Sequence, residues 1–142
     1  MKKIWILLFF SATFFACKKK TVDTPPAQTK ENIAGLYKLT GLTLTTATAS
    51  ETSIIDSYLT ACQKDDLQQL KLDFGYNYID AGTICSPAGD KTGTWALPAT
   101  GKISINGQLG DIVSFTGTVL VVSRVETVLG TPTTFKSTLT KQ

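Results

Sequence analysis

Residues 102–125 read KISINGQLGDIVSFTGTVLVVSRV. In the first six, Ile103 and Ile105 share one face. Asn106-Gly107 is a strong hairpin signal, because both central turn positions ask for a left-handed backbone that these two residues tolerate. DIVSFTG (111–117) and then TVLVVSRV (118–125), the most apolar run of the domain, follow at short spacing. Short β-branched and aromatic runs separated by turn residues predict consecutive antiparallel strands rather than helices.

The same grammar extends in both directions. Downstream, TTFKSTLT (133–140) places Phe135, Ser137 and Leu139 on one face. Upstream, GTWAL (93–97) groups Trp95 with Leu97 before Pro98 ends the run. YNYID (76–80) sets Tyr76, Tyr78 and Asp80 on one side, and LKLDF (70–74) aligns Leu70, Leu72 and Phe74 until Gly75 interrupts. In GLYKLTGLTLTT (35–46), Tyr37 and Leu39 are in one phase, Leu36, Leu42 and Leu44 in the other. That change of phase predicts a β-bulge near Gly41. Only TSIIDSYLTA (52–61) breaks the pattern. Ile54, Ile55, Tyr58 and Leu59 form a helical stripe that predicts one short helix before Cys62, with Ser53 as its N-cap. The count comes to about eight strands, each near its sequence neighbour. The fold class expected is all-β, an up-and-down antiparallel meander closed into a barrel. An eight-stranded interior is either filled by side chains or holds one small ligand.

The N-terminus has a different logic. MKKIWILLFFSATFFA (1–16) opens with two lysines and continues without charge from Ile4 to Ala16. This is the layout of a secretory signal, and the run is shorter than the roughly 20 residues a membrane-spanning helix needs. The next residue, Cys17, resembles the lipidated cysteine of the bacterial lipobox, although Phe14 and Phe15 stand where that motif carries Leu and a small residue. The resemblance implies cleavage after Ala16 and a diacylglycerol on Cys17. Each buried CH₂ contributes about 0.8 kcal/mol, so two or more acyl chains hold firmly. Residues 17–30, with four lysines, two prolines and no apolar run, form a lipid-anchored flexible tether. Because the stretch after Cys17 is basic rather than acidic, the same resemblance places the protein in the outer membrane, facing the periplasm. The domain itself is 31–142. Loss of residues 1–16 lowers the basic residues from 14 to 12 against 11 acidic ones. The mature chain is nearly neutral and has no basic stripe for nucleic acid.

Once lipidation accounts for Cys17, two of the three cysteines remain, in an oxidising compartment. A Cys62–Cys85 disulfide is expected. A two-cysteine metal site would need further ligands, and the chain has no histidine. No metal and no cofactor are expected.

Several of these segments recur in order in one family. Gly35-Leu36-Tyr37, Cys62 to Asp66 (CQKDD), Phe74 to Tyr78, Cys85, Gly93 to Trp95 and Thr118 to Val122 resemble the lipocalin-like domain of Gram-negative bacterial lipoproteins. Tyr37 stands where that family carries Trp. The likeness spans residues 33–140 and implies a barrel and a cell-envelope location more than an activity.

Without histidine, Ser-His-Asp and Cys-His catalysis are excluded, and no phosphate loop or nucleophile elbow is present. Asp65 and Asp66 are adjacent, so on a strand they would face opposite ways; they are expected to precede the strand after Cys62 and stay solvated. No enzyme is expected. Two non-catalytic roles remain. In the first, a small apolar ligand sits among inward-facing Tyr37, Phe74, Tyr78, Trp95 and Phe115, with Leu72, Leu97 and Ile105 as walls. In the second, a monomeric tethered domain engages another envelope protein through rim loops at 45–61 and 86–92.

Overall fold

The computed structural model describes residues 24–142. The expected signal, Cys17 and the first part of the tether lie outside the described residues. A single helical turn, α1 (Lys30–Ile33), starts where the tether was expected to end; the Thr29 hydroxyl caps it by accepting from the Asn32 N–H at 3.3 Å. Then come β1 (Gly35–Thr46), β2 (Ala49–Ser53), α2 (Ile55–Tyr58), a 3-10 turn at Ala61–Gln63, β3 (Leu67–Leu70), β4 (Gly75–Ile79), β5 (Lys91–Ala96), β6 (Lys102–Ile105), β7 (Gln108–Phe115), β8 (Val119–Val128) and β9 (Thr131–Lys141).

Each strand from β3 to β9 pairs antiparallel with the next, and β1 pairs with both β3 and β9. Eight strands therefore close a barrel, as the meander pattern predicts. β1 is long enough to serve three partners. Its first half pairs with β3, its second half with the short extra strand β2, and β9 runs along almost its whole length. The register of β1 against β9 slips between Leu39 and Gly41, which is the predicted bulge. The slip lets Tyr37 and Leu39, then Leu42 and Leu44, all turn inward despite their opposite phases. At the predicted hairpin, Asn106 and Gly107 have φ of 51° and 76°, both left-handed.

Two local expectations are corrected. LKLDF is not a strand: β3 is Leu67–Leu70, and Lys71 to Phe74 form the turn into β4, closed by Phe74 N–H donating to Lys71 O at 3.1 Å. Leu72 is exposed there, and Phe74 takes a φ of 67°. The helix before Cys62 exists as the one-turn α2, but Ser53 ends β2 opposite Thr43, and Ile54 occupies the cap without a side-chain hydrogen bond. Ala49–Ser53 was missed because every residue in it is exposed and none signals a face.

The barrel has a filled end and an open end. Tyr37, Leu70, Trp95, Ile103 and Leu120, each at most 2 % exposed, fill the first, and Ile33 of α1 closes it from below. Burying each such side chain contributes about 1.5–3 kcal/mol. The polar tips of the two large aromatics are satisfied: Tyr37 OH donates to Ile33 O at 2.5 Å and Trp95 Nε1–H to Lys71 O at 2.8 Å. Phe74 packs under Trp95 with ring centroids 5.3 Å apart. Among the described residues no helix is long and apolar enough to cross a membrane.

Candidate functional site

The open end of the barrel holds a cavity of about 730 Å³. Its lining changes in character along the strands. β8 climbs from the filled end to the mouth, and its inward residues in order are Leu120, Val122, Arg124 and Glu126. β9 descends alongside with Phe135, Ser137 and Leu139 facing the same space. The deep wall is apolar, from Leu39, Leu42, Ile103, Ile105, Val122 and Leu139. Above it, Gln68, Gln108, Arg124 and Ser137 form a polar belt, and Tyr58, Leu59, Pro87 and Lys91 stand at the rim.

Arg124 is the most constrained group of the belt. Its Nη1–H donates to Gln108 Oε1, and its guanidinium lies 5.8 Å from the Phe135 ring centroid. Glu126 Oε1 is 2.8 Å from Nε but outside hydrogen-bond geometry, so this buried Nε–H has an ionic neighbour and no acceptor.

One side of the mouth is built by carboxylates. Asp66 and Asp80 are each 5 % exposed. Asp66 accepts from Tyr78 OH at 2.6 Å and from Ala81 N–H at 3.1 Å. Asp80 accepts from the N–H groups of Cys85 at 3.1 Å and Gly89 at 2.7 Å. Its own N–H donates to Asp90 Oδ1 at 2.8 Å. Asp65 takes the Thr83 N–H at 2.8 Å, and that backbone bond holds its carboxyl below the ordinary aspartate range. The expectation that Asp65 and Asp66 merely stay solvated is therefore corrected for Asp66. A loop of ten or so residues presents many backbone donors, and buried donors need acceptors. The Cys62–Cys85 disulfide fastens the same loop to the segment after α2. Asp66, Asp80 and Cys85 bring potential ligand atoms within 4.8 Å of one another, but Cys85 Sγ is spent in the disulfide and the carboxylates already accept five hydrogen bonds. Their chemistry is to order the loop. Burial, and then the bond to Asp66, push the Tyr78 phenol well above its ordinary value.

Of the candidate ligand-lining residues, Tyr78 and Ile105 face the cavity. Tyr37, Trp95 and Phe115 point inward but belong to the filled end, where no space remains beside them. Leu97 packs against that core from beyond β5, Phe74 lies beneath it, and Leu72, 58 % exposed, is in the β3–β4 turn. Both rim segments reach the mouth, 45–61 through Tyr58 and Leu59 and 86–92 through Pro87 and Lys91. The belt residues Gln68, Gln108 and Arg124 are not legible in the alternation, because polar side chains read as outward. The even spacing of Leu120, Val122 and Arg124 was the available signal. Compared with known families, curated proteins and solved structures, the chain matches no family model, no curated protein and no solved structure.

Proposed function

We propose that this barrel is a non-catalytic binding protein of the cell envelope, tethered by a lipid on Cys17, that takes up a small and largely apolar molecule at its open end. The observation that carries the reading is the cavity of about 730 Å³ above a fully packed floor. That size falls within the roughly 300–1,000 Å³ of small-molecule sites, as does the combination of apolar walls with a few convergent polar groups. Its polar groups suit recognition rather than bond-making: the belt offers amide, guanidinium and hydroxyl groups, and the chain has no histidine to act as a base. The resemblance of CQKDD and GTW to lipocalin-like lipoproteins points the same way.

The test is a native mass spectrum of residues 21–142, which carry β1 to β9, secreted into an oxidising compartment. A reproducible excess mass that is lost on denaturation supports the reading and begins to identify the ligand. A clean mass after exposure to an envelope lipid extract counts against it. It would favour instead a protein partner meeting the exposed apolar side chains Tyr58, Leu109 and Leu129 of the mouth end.

A further inference from the structure

The geometry points to a ligand with a carboxylate head, received by Arg124, and a single hydrocarbon tail directed toward the barrel floor. The inference rests on the binding role proposed above and names the chemical class that the site would take.

Arg124 stands where the inner surface turns from apolar to polar, the next inward residue after Val122 on β8. A guanidinium carries five N–H donors in a planar fork that matches a carboxylate with two parallel hydrogen bonds. Here the plane is already set. Phe135 lies against the group and Gln108 takes one edge. What remains is an edge whose Nε–H is buried and has no acceptor. A buried donor without an acceptor is unfavourable, and a carboxylate on that edge corrects it.

Glu126 marks the place. Its own carboxylate sits 2.8 Å from Nε, off the hydrogen-bond direction. It is 41 % exposed at the mouth, so it can withdraw into water when a better-aligned carboxylate arrives. The other acid of the lining, Asp66, is turned to the loop at the mouth, where its two oxygens accept from Tyr78 and Ala81. Lys91 at the rim makes no ion pair among the described residues and adds positive charge. Below the belt, Leu39, Ile105, Val122 and Leu139 offer an apolar wall to an alkyl tail but no partner to a second polar group.

The test is calorimetric titration of residues 21–142, disulfide formed, with decanoate and with decan-1-ol at neutral pH. The two share a tail and differ in the head. Decanoate is expected to bind about tenfold or more tighter, the worth of a charge-assisted pair. In Arg124→Gln that preference vanishes while decan-1-ol binds as before, and in Arg124→Lys part of it returns. In Glu126→Gln, decanoate binds severalfold tighter and decan-1-ol is unchanged. If both probes bind equally to the unaltered protein, or if Arg124→Gln weakens both alike, the carboxylate assignment is overturned and the cavity role stands. If neither probe binds, both fall.

Discussion

Replacing both disulfide cysteines, Cys62→Ser with Cys85→Ser, should lower stability by about 3.4 kcal/mol, and the value follows from the chain. The bridge spans a separation of 23, a closed loop of 24 residues. The loop-entropy relation for that length gives about 11.6 cal/mol/K, or about 3.4 kcal/mol at 25 °C. This energy acts on the unfolded state. In the folded state the loop at the mouth keeps its other fastenings, the bonds of Asp65, Asp66 and Asp80 to its backbone. The barrel ladder does not depend on either cysteine, since both lie outside the strands. The assay is urea unfolding under oxidising conditions, followed by far-ultraviolet circular dichroism. At a slope of 1–3 kcal/mol/M the midpoint should fall by roughly 1–3 M, and the slope itself should rise because the freed chain exposes more surface. A loss below about 1 kcal/mol would refute the entropic argument. A split into two transitions would show instead that the bridge holds the native mouth together.

Tyr37→Phe removes the donor to Ile33 O and leaves a buried carbonyl without its partner, so a loss of about 1–3 kcal/mol is expected in the same assay; an unchanged midpoint would mean water replaces the hydroxyl. Alkaline pH should also destabilise the fold. Burial raises the phenols of Tyr37 and Tyr76 to about 12, whereas an unfolded tyrosine ionises at about 10. Between those values the unfolded chain binds fewer protons, so this stability is complete below pH ~10 and is lost as pH climbs through about 12. In a Tyr58→Phe background, which removes the exposed phenol, phenolate absorbance should rise together with loss of structure, and a rise at pH ~10 with native ellipticity intact would contradict it. Cys17→Ser should move the protein from membrane to soluble fractions; retention in the membrane pellet would remove the lipid anchor from the proposal.

The fold was legible where side-chain alternation and turn chemistry agree. Ile103 and Ile105 flanking Asn106-Gly107 specify strand, turn and register together, and Gly41 is betrayed by the leucines that change phase around it. Alternation fails where the barrel is lined with polar side chains. Gln68 faces the cavity, so LQQL does not alternate as a strand does, whereas the next apolar residues, Leu72 and Phe74, alternate but lie in the turn. The same blindness hid Arg124 and Gln108, the two residues on which the proposed chemistry depends. Aromatic content also misled. Tyr37, Trp95 and Phe115 do face inward, but only the packing of the far end reveals that they form a floor rather than a lining. Asp66 and Asp80 look like surface acids, because the backbone N–H groups and the Tyr78 hydroxyl that they accept from form no sequence pattern.

The seam between β1 and β9 has a consequence for how this protein comes into being. Thr40 bonds to Thr138 and Thr140, 98 and 100 positions away, and Tyr37 is paired with Lys141. Contacts of such sequence separation are slow to form, since loop closure must be met before they reward it. Hairpins such as β6–β7 and β8–β9 can zip while the chain is still emerging, but no prefix of the polypeptide can complete the ring. Until the last ten residues arrive, β1 presents an unpaired edge. The ring can therefore close only once β9 is available to lie along β1.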